Sequence, residues 1–120
     1  MLVILIKRVY DPSAKEDGTR FLIDRLWPRG IKKEALSMEG WLKQIAPSVG
    51  LRRWFGHDPA KWQEFRERYR AELANQSEAC QTLLEAAKRG TITLLYSAHD
   101  TDHNNAKVLQ SYLEERLGRK

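Results

Sequence analysis

The sequence predicts a small α/β fold: a mostly parallel sheet of about three to four strands, flanked by helices, in one domain spanning 1–120. Three observations predict it. β-rich apolar runs recur at Met1–Val9, Thr19–Leu26 and Thr91–Tyr96. A long helical stretch separates the last two, and strands interleaved with helices favour parallel pairing. A chain of 120 residues is one domain on length, and a domain of this size buries roughly two-thirds of its unfolded surface.

The first run, Met1 to Val9, is almost continuously apolar, as in a strand covered on both faces. Asp11-Pro12-Ser13 breaks it. The polar segment up to Gly18 reads as a loop with room for one helical turn. Thr19 to Leu26 is the second predicted strand. The link between these two strands is short enough for a hairpin, which would separate Arg8 from Asp24. Ser37 is placed to cap a short helix bearing Trp41, Leu42 and Ile45, ending before Pro47. Pro47 to Phe55, with Arg52, Arg53 and Trp54, is expected to be irregular or a single turn.

Asp58-Pro59 is a strong helix start, an acceptor followed by proline at the first position. From there Trp62, Phe65, Tyr69 and Leu73 fall on one helical face. A further helix carries Cys80, Leu83, Leu84 and Ala87 and stops at Gly90. The third predicted strand follows, and then a helix from about Asp102 to Leu117 with Val108, Leu109, Tyr112 and Leu113 on its apolar side.

Hydrophobic content of 42% and charged content of 31% are those of a soluble globular protein. No apolar run approaches the ~20 residues that span a bilayer, so no membrane partner is expected. The N-terminal run lacks the flanks of a signal peptide. One cysteine, Cys80, excludes an internal disulfide and favours a reduced, cytoplasmic setting. The net charge is +5. From Arg20 to Lys33, five basic residues (Arg20, Arg25, Arg29, Lys32, Lys33) stand against one acid, Asp24. Such a patch suits an anionic small molecule or a nucleic-acid backbone; it also serves solubility.

Parallel strands would gather three polar clusters at one sheet edge, where open α/β sheets bind ligands. The first is Arg8 with Tyr10, the second Asp24 to Arg29, the third Ser97 to Asp100. Arg8, Arg25, Arg29 and Arg52 are the anion candidates, because a guanidinium fork fits phosphate and carboxylate. Asp24 either orients an arginine onto a ligand or closes the strand end as a structural salt bridge. Trp27 and Trp54, with arginine neighbours, are candidate site walls; Trp41 and Trp62 are expected in the core. Ser97 and Asn104 sit in a donor-rich turn before the last helix, whose free N–H groups can hold an anion, unless Asp100 or Asp102 caps them.

If a reaction occurs, Asp24, His57 or Asp100 would supply acid–base chemistry; for His57, beside Gly56 and a helix start, a local structural role is the alternative. The His99, Asp100, Asp102, His103 group invites a metal reading, but neither HExxH nor paired cysteines occur. No GxxxxGK loop is present, and Ser97 lies outside any GxSxG elbow. No metal and no cofactor are expected.

Arg8-Val9-Tyr10-Asp11, Gly18-Thr19-Arg20, Asp24-Arg25-Leu26-Trp27-Pro28-Arg29-Gly30, Ala46-Pro47-Ser48, His57-Asp58-Pro59 and Tyr96 with Asp100, His103 and Asn104 resemble the domain-of-unknown-function 488 family, in its short YeaO-like branch. The resemblance spans nearly the whole chain. It implies a cytoplasmic bacterial or archaeal α/β protein without a settled activity, and it supports the named polar residues forming one site. Some relatives carry a transcriptional-regulator label, yet no helix-turn-helix is read here. Longer relatives place a cysteine in the turn after the last strand; this chain has Ser97 in that region.

Overall fold

The computed structural model describes residues 3–118; Met1 and Leu2 of the predicted first strand lie outside them. Four strands form the sheet: β1 (Ile4–Arg8), β2 (Thr19–Leu22), β3 (Gly40–Trp41) and β4 (Ile92–Tyr96). Their order is β1-β4-β2-β3 and every pairing is parallel. The helices are α1 (Val49–Phe55), α2 (Trp62–Leu73), α3 (Ser77–Arg89) and α4 (Asn105–Gly118). The hairpin alternative is excluded: β1 and β2 flank β4 and do not pair with each other.

Strand alternation sorts the two faces. Ile4, Phe21, Ile23, Ile92, Leu94 and Tyr96 pack with the helices in the main core. Val9, Leu22 and Leu95 point to the opposite face, where Leu36 joins them under the loop bearing Trp27, Ile31 and Met38, with Trp41 of β3 against the same cluster. The register sets Arg8 opposite Tyr96 and Leu22 opposite Leu95. The C-terminal ends of β1, β2 and β4 therefore lie side by side.

Three expectations need correction. The second strand stops at Leu22, four residues early, because the chain turns away through Asp24 and Arg25. The helix expected after Ser37 is absent. Gly40 and Trp41 instead extend beside β2 as β3, and a 3-10 turn spans Lys43–Ile45. Pro47 to Phe55 is not irregular. Ser48 caps α1 by accepting the Leu51 N–H at 3.1 Å, and the Glu72 carboxylate accepts the Ser48 N–H at 2.8 Å and its hydroxyl at 2.6 Å. That support comes from α2, so no local pattern announces it. The Asp58 start holds: its side chain accepts the Ala60 N–H, and the 3-10 turn Pro59–Lys61 leads into α2.

The second face holds a polar centre that sequence reasoning missed. Asp17 and Arg20 are both buried. Asp17 accepts from Arg20 Nη1 at 2.5 Å, from Lys7 Nζ at 2.8 Å and from the Ala14 N–H at 3.1 Å. Arg20 Nε donates to the Ser37 carbonyl, and the Thr93 hydroxyl donates to the Asp17 carbonyl. Burial pushes the Asp17 carboxyl up, but the bonds from Lys7, Ala14 and Arg20 outweigh it and hold the group below the usual carboxylate range.

Candidate functional site

A cleft of about 820 Å³ opens along the C-terminal edge of the sheet. Ten of the sequence-derived site candidates line it: Arg8, Asp24, Arg25, Trp27, Arg29, Arg52, His57, Ser97, Asp100 and Asn104. Three remote stretches thus meet at one rim, as parallel topology requires. Trp54 does not join them. It lies partly buried against the core, with Lys61 Nζ and the Arg68 guanidinium over its ring at 5.2 and 4.5 Å.

Within the cleft the charged groups divide into engaged and open ones. Among the described residues Asp24 pairs with no arginine, although its orienting and salt-bridge expectations would both need one. Its Oδ2 accepts the Ser97 N–H at 2.9 Å and the Ser97 hydroxyl at 2.8 Å, and its Oδ1 accepts Asn105 Nδ2 at 2.9 Å. The carboxylate ties the ends of β2 and β4 to the first turn of α4. Its partners lie 73 and 81 residues downstream.

Arg8 holds the same turn from the β1 side. Its Nε donates to the Ala98 carbonyl at 2.8 Å and its Nη2 to the Ser97 carbonyl at 3.2 Å. The Arg8 guanidinium also sits over the Tyr10 ring, 4.9 Å from its centroid, and Tyr10 donates its hydroxyl to the Arg29 carbonyl at 2.9 Å. Arg25 points across the sheet end and donates to the Pro47 and Ala46 carbonyls at 3.3 and 3.2 Å. Arg8 and Arg25 are therefore partly committed to backbone.

Asp100 shapes the turn before α4. Its Oδ1 accepts the N–H groups of Asp102 and His103, and its Oδ2 lies 2.9 Å from His103 Nδ1. The Asp102 N–H, then the His103 side chain, hold this partly exposed carboxyl below its ordinary range. The cap of α4 is Asn104, buried, whose Oδ1 accepts the Lys107 N–H while its Nδ2 donates to the Asp100 carbonyl. Capping was expected of Asp102; its side chain caps nothing among the described residues. The two carboxylates of the cleft are thus both occupied by internal donors.

Arg29 and Arg52 differ. Both are exposed, both line the cleft, and neither side chain makes a hydrogen bond or ion pair among the described residues. The cleft carries four arginines against two acids; Arg8 and Arg25 are held by backbone carbonyls, and Arg29 and Arg52 are the two guanidinium groups left free. His57 stands at the rim after the left-handed Gly56 that ends α1, itself at φ +57°. Its ring lies 6.2 Å from that of Phe55.

The floor is aromatic. Phe55 and Phe65, both buried, stack at 4.3 Å, and Trp62 packs on Phe65 at 5.7 Å with His103 edge-on to it at 5.2 Å. Sequence reasoning placed Phe65 on a core face and left Phe55 unassigned. Both do pack in the core, and an edge of each reaches the cleft. Trp27 is fixed by donation from Nε1 to the Ile31 carbonyl at 2.6 Å and by an edge contact with Trp41, centroids 5.4 Å apart. Among the described residues no cluster of three or more His, Cys, Asp or Glu suits a metal ion, and no helix is long and apolar enough to cross a membrane.

Comparison with known proteins finds matches over nearly the whole chain. Residues 3–120 match the family described as "Inactive DUF488-N3 subclade". The "Uncharacterized protein YeaO" of Escherichia coli (strain K12) is 48% identical over 110 residues, 92% of this chain and 96% of the relative. The "Uncharacterized protein Rv3073c" of Mycobacterium tuberculosis (strain ATCC 25618 / H37Rv) is 35% identical over 113 residues, 94% and 95% of the two chains. No solved structure matches significantly. On sequence and length alike, this chain belongs to the domain-of-unknown-function 488 family, among its YeaO-like members.

Proposed function

We propose that this protein binds a phosphate- or carboxylate-bearing small molecule in the cleft and does not turn it over. One observation carries the reading: Arg29 and Arg52 offer unpartnered guanidinium groups to a cavity whose carboxylates are all engaged elsewhere. Guanidinium forks bind such anions bidentately. Strand C-termini of parallel sheets are the usual place for this.

The binding-only reading has two supports. A general base must be free to take a proton; two of the three acid–base candidates, Asp24 and Asp100, each accept three internal hydrogen bonds, which leaves His57, whose ring has no hydrogen-bond partner among the described residues to orient it. The matching subclade is itself described as inactive. The alternative of a nucleic-acid surface along residues 20–33 loses weight. Arg20 is buried against Asp17, and Arg25 faces backbone carbonyls, so the basic run is not one exposed stripe.

Isothermal titration with inorganic phosphate, pyrophosphate and citrate at low salt tests the reading. At least one should bind at millimolar concentration or below, and Arg29→Ala should abolish the heat while the variant stays folded. Silence from all three anions with the native protein would overturn it.

A further inference from the structure

We infer that the anionic group of the ligand is carried on a planar aromatic ring system, the class being nucleoside monophosphates. The inference rests on the anion reading above and concerns the remainder of the cavity. A volume of about 820 Å³ is that of a site for a whole drug-sized molecule. A lone phosphate fills a small part of it.

The lining also offers an apolar body: Tyr10, Leu26, Trp27, Pro28, Phe55 and Phe65 share the cleft with the charged groups. Arg29 and Arg52 are exposed, whereas Phe55, Phe65 and Pro28 are buried. Large apolar side chains left in water concentrate here as well. Of the four exposed ones among the described residues, Tyr10 and Leu26 both line the cleft, and Leu26 is 61% exposed. Exposed apolar surface gathered at a cavity marks a place for a ligand body.

The wall is also preorganised. The indole of Trp27 is locked by its bond to Ile31 and its edge contact with Trp41. Tyr10 is held at both ends, by its hydroxyl bond to Arg29 and by Arg8 over its ring. Side chains already ordered lose little entropy on binding. Rigid aromatic faces beside free arginines match a flat ring joined to a phosphate, because stacking needs only a π-face and the fork needs only the anion.

The test is a calorimetric comparison of AMP, ribose phosphate, adenosine and a short single-stranded oligonucleotide. AMP should bind roughly tenfold or more tighter than ribose phosphate, the scale of one base stacked on an aromatic side chain. Trp27→Leu should remove that advantage, Trp27→Phe should keep it, and Arg29→Ala should weaken both phosphates. Equal affinity for AMP and ribose phosphate in the native protein sinks the ring inference and leaves the anion reading standing; this comparison needs no variant to fold. Adenosine binding as well as AMP, or silence from every phosphate, sinks the anion reading too. An oligonucleotide binding far more tightly than AMP would replace the free nucleotide with a strand.

Discussion

Asp24 grips Ser97 through a single oxygen, Oδ2, which accepts both the backbone N–H and the hydroxyl of that residue, while its other oxygen takes Asn105. Arg8 holds the Ser97 and Ala98 carbonyls from the opposite side. The exit of β4 is thus braced by both neighbouring strands. The cleft inherits its shape from that brace, since the Asp24 and Arg8 bonds are all internal and need no ligand to form.

Removing the brace should cost stability in proportion to the donors left behind. Asp24→Ala strands three of them in a half-buried place and should cost about 2–3 kcal/mol; Ser97→Ala removes one hydroxyl bond and should cost about 1 kcal/mol. The double variant should cost less than the two single effects combined, because they share one interaction. Urea unfolding of the four proteins checks this, and strict additivity would show that Asp24 and Ser97 do not cooperate.

The arginines should separate into two kinds. Arg29 is exposed and unpartnered, so Arg29→Ala should change stability by no more than ~0.5 kcal/mol while abolishing anion binding. Arg25 braces the Ala46–Pro47 turn through two long bonds, so Arg25→Ala should cost about 1–2 kcal/mol. Thermal melts paired with phosphate titrations distinguish the two. An Arg29→Ala protein that fails to fold would make that arginine structural and remove it from the site.

Most of the frame was legible because it follows from local pattern. The apolar runs of β1, β2 and β4, and the helical spacing of Trp62, Phe65, Tyr69 and Leu73, need no partner to be read. Parallel pairing then implies that Arg8, Arg29 and Asp100 share an edge, and all three line the cleft. What was illegible depends on distant chain. Two residues, Gly40 and Trp41, become a strand only because β2 offers a free edge. The Ser48 start of α1 draws on Glu72. Nearby arginines looked like the partners of Asp24, yet its donors come from beyond β4. Asp17 lies in a polar segment that reads as loop and Arg20 in the second strand's basic run; their burial is illegible because Lys7 and Thr93 complete the cluster.

Gly18 should tolerate no side chain. Its φ is +65°, and a Cβ there would lie 2.0 Å from the Thr91 carbonyl oxygen, a backbone atom that accepts the Thr19 N–H at 3.0 Å. Left-handed strain alone costs on the order of 1–3 kcal/mol, and the clash adds to it by forcing the Thr91 backbone away from β2. Gly18→Ala should therefore be destabilised by more than about 2 kcal/mol or fail to accumulate as folded protein. A native-like melting temperature would show that the turn relaxes freely.

Acid should unfold this protein partly through Asp17. Its carboxyl is held below the usual range by Lys7, Ala14 and Arg20 despite burial. A carboxyl whose folded value is depressed stabilises the fold above its unfolded value, near 3.9, and loses that contribution as pH falls through the folded value. Stability should therefore decline below about pH 5, as protons enter the unfolded chain first. Asp17→Asn should flatten this part of the curve. At neutral pH it should also cost about 3–5 kcal/mol, because Lys7 and Arg20 are left facing each other without a counter-charge. Urea midpoints measured from pH 7 down to pH 3 for both proteins decide it. Parallel pH curves would mean that Asp17 keeps the same proton affinity folded and unfolded, and that the buried cluster does not account for acid sensitivity.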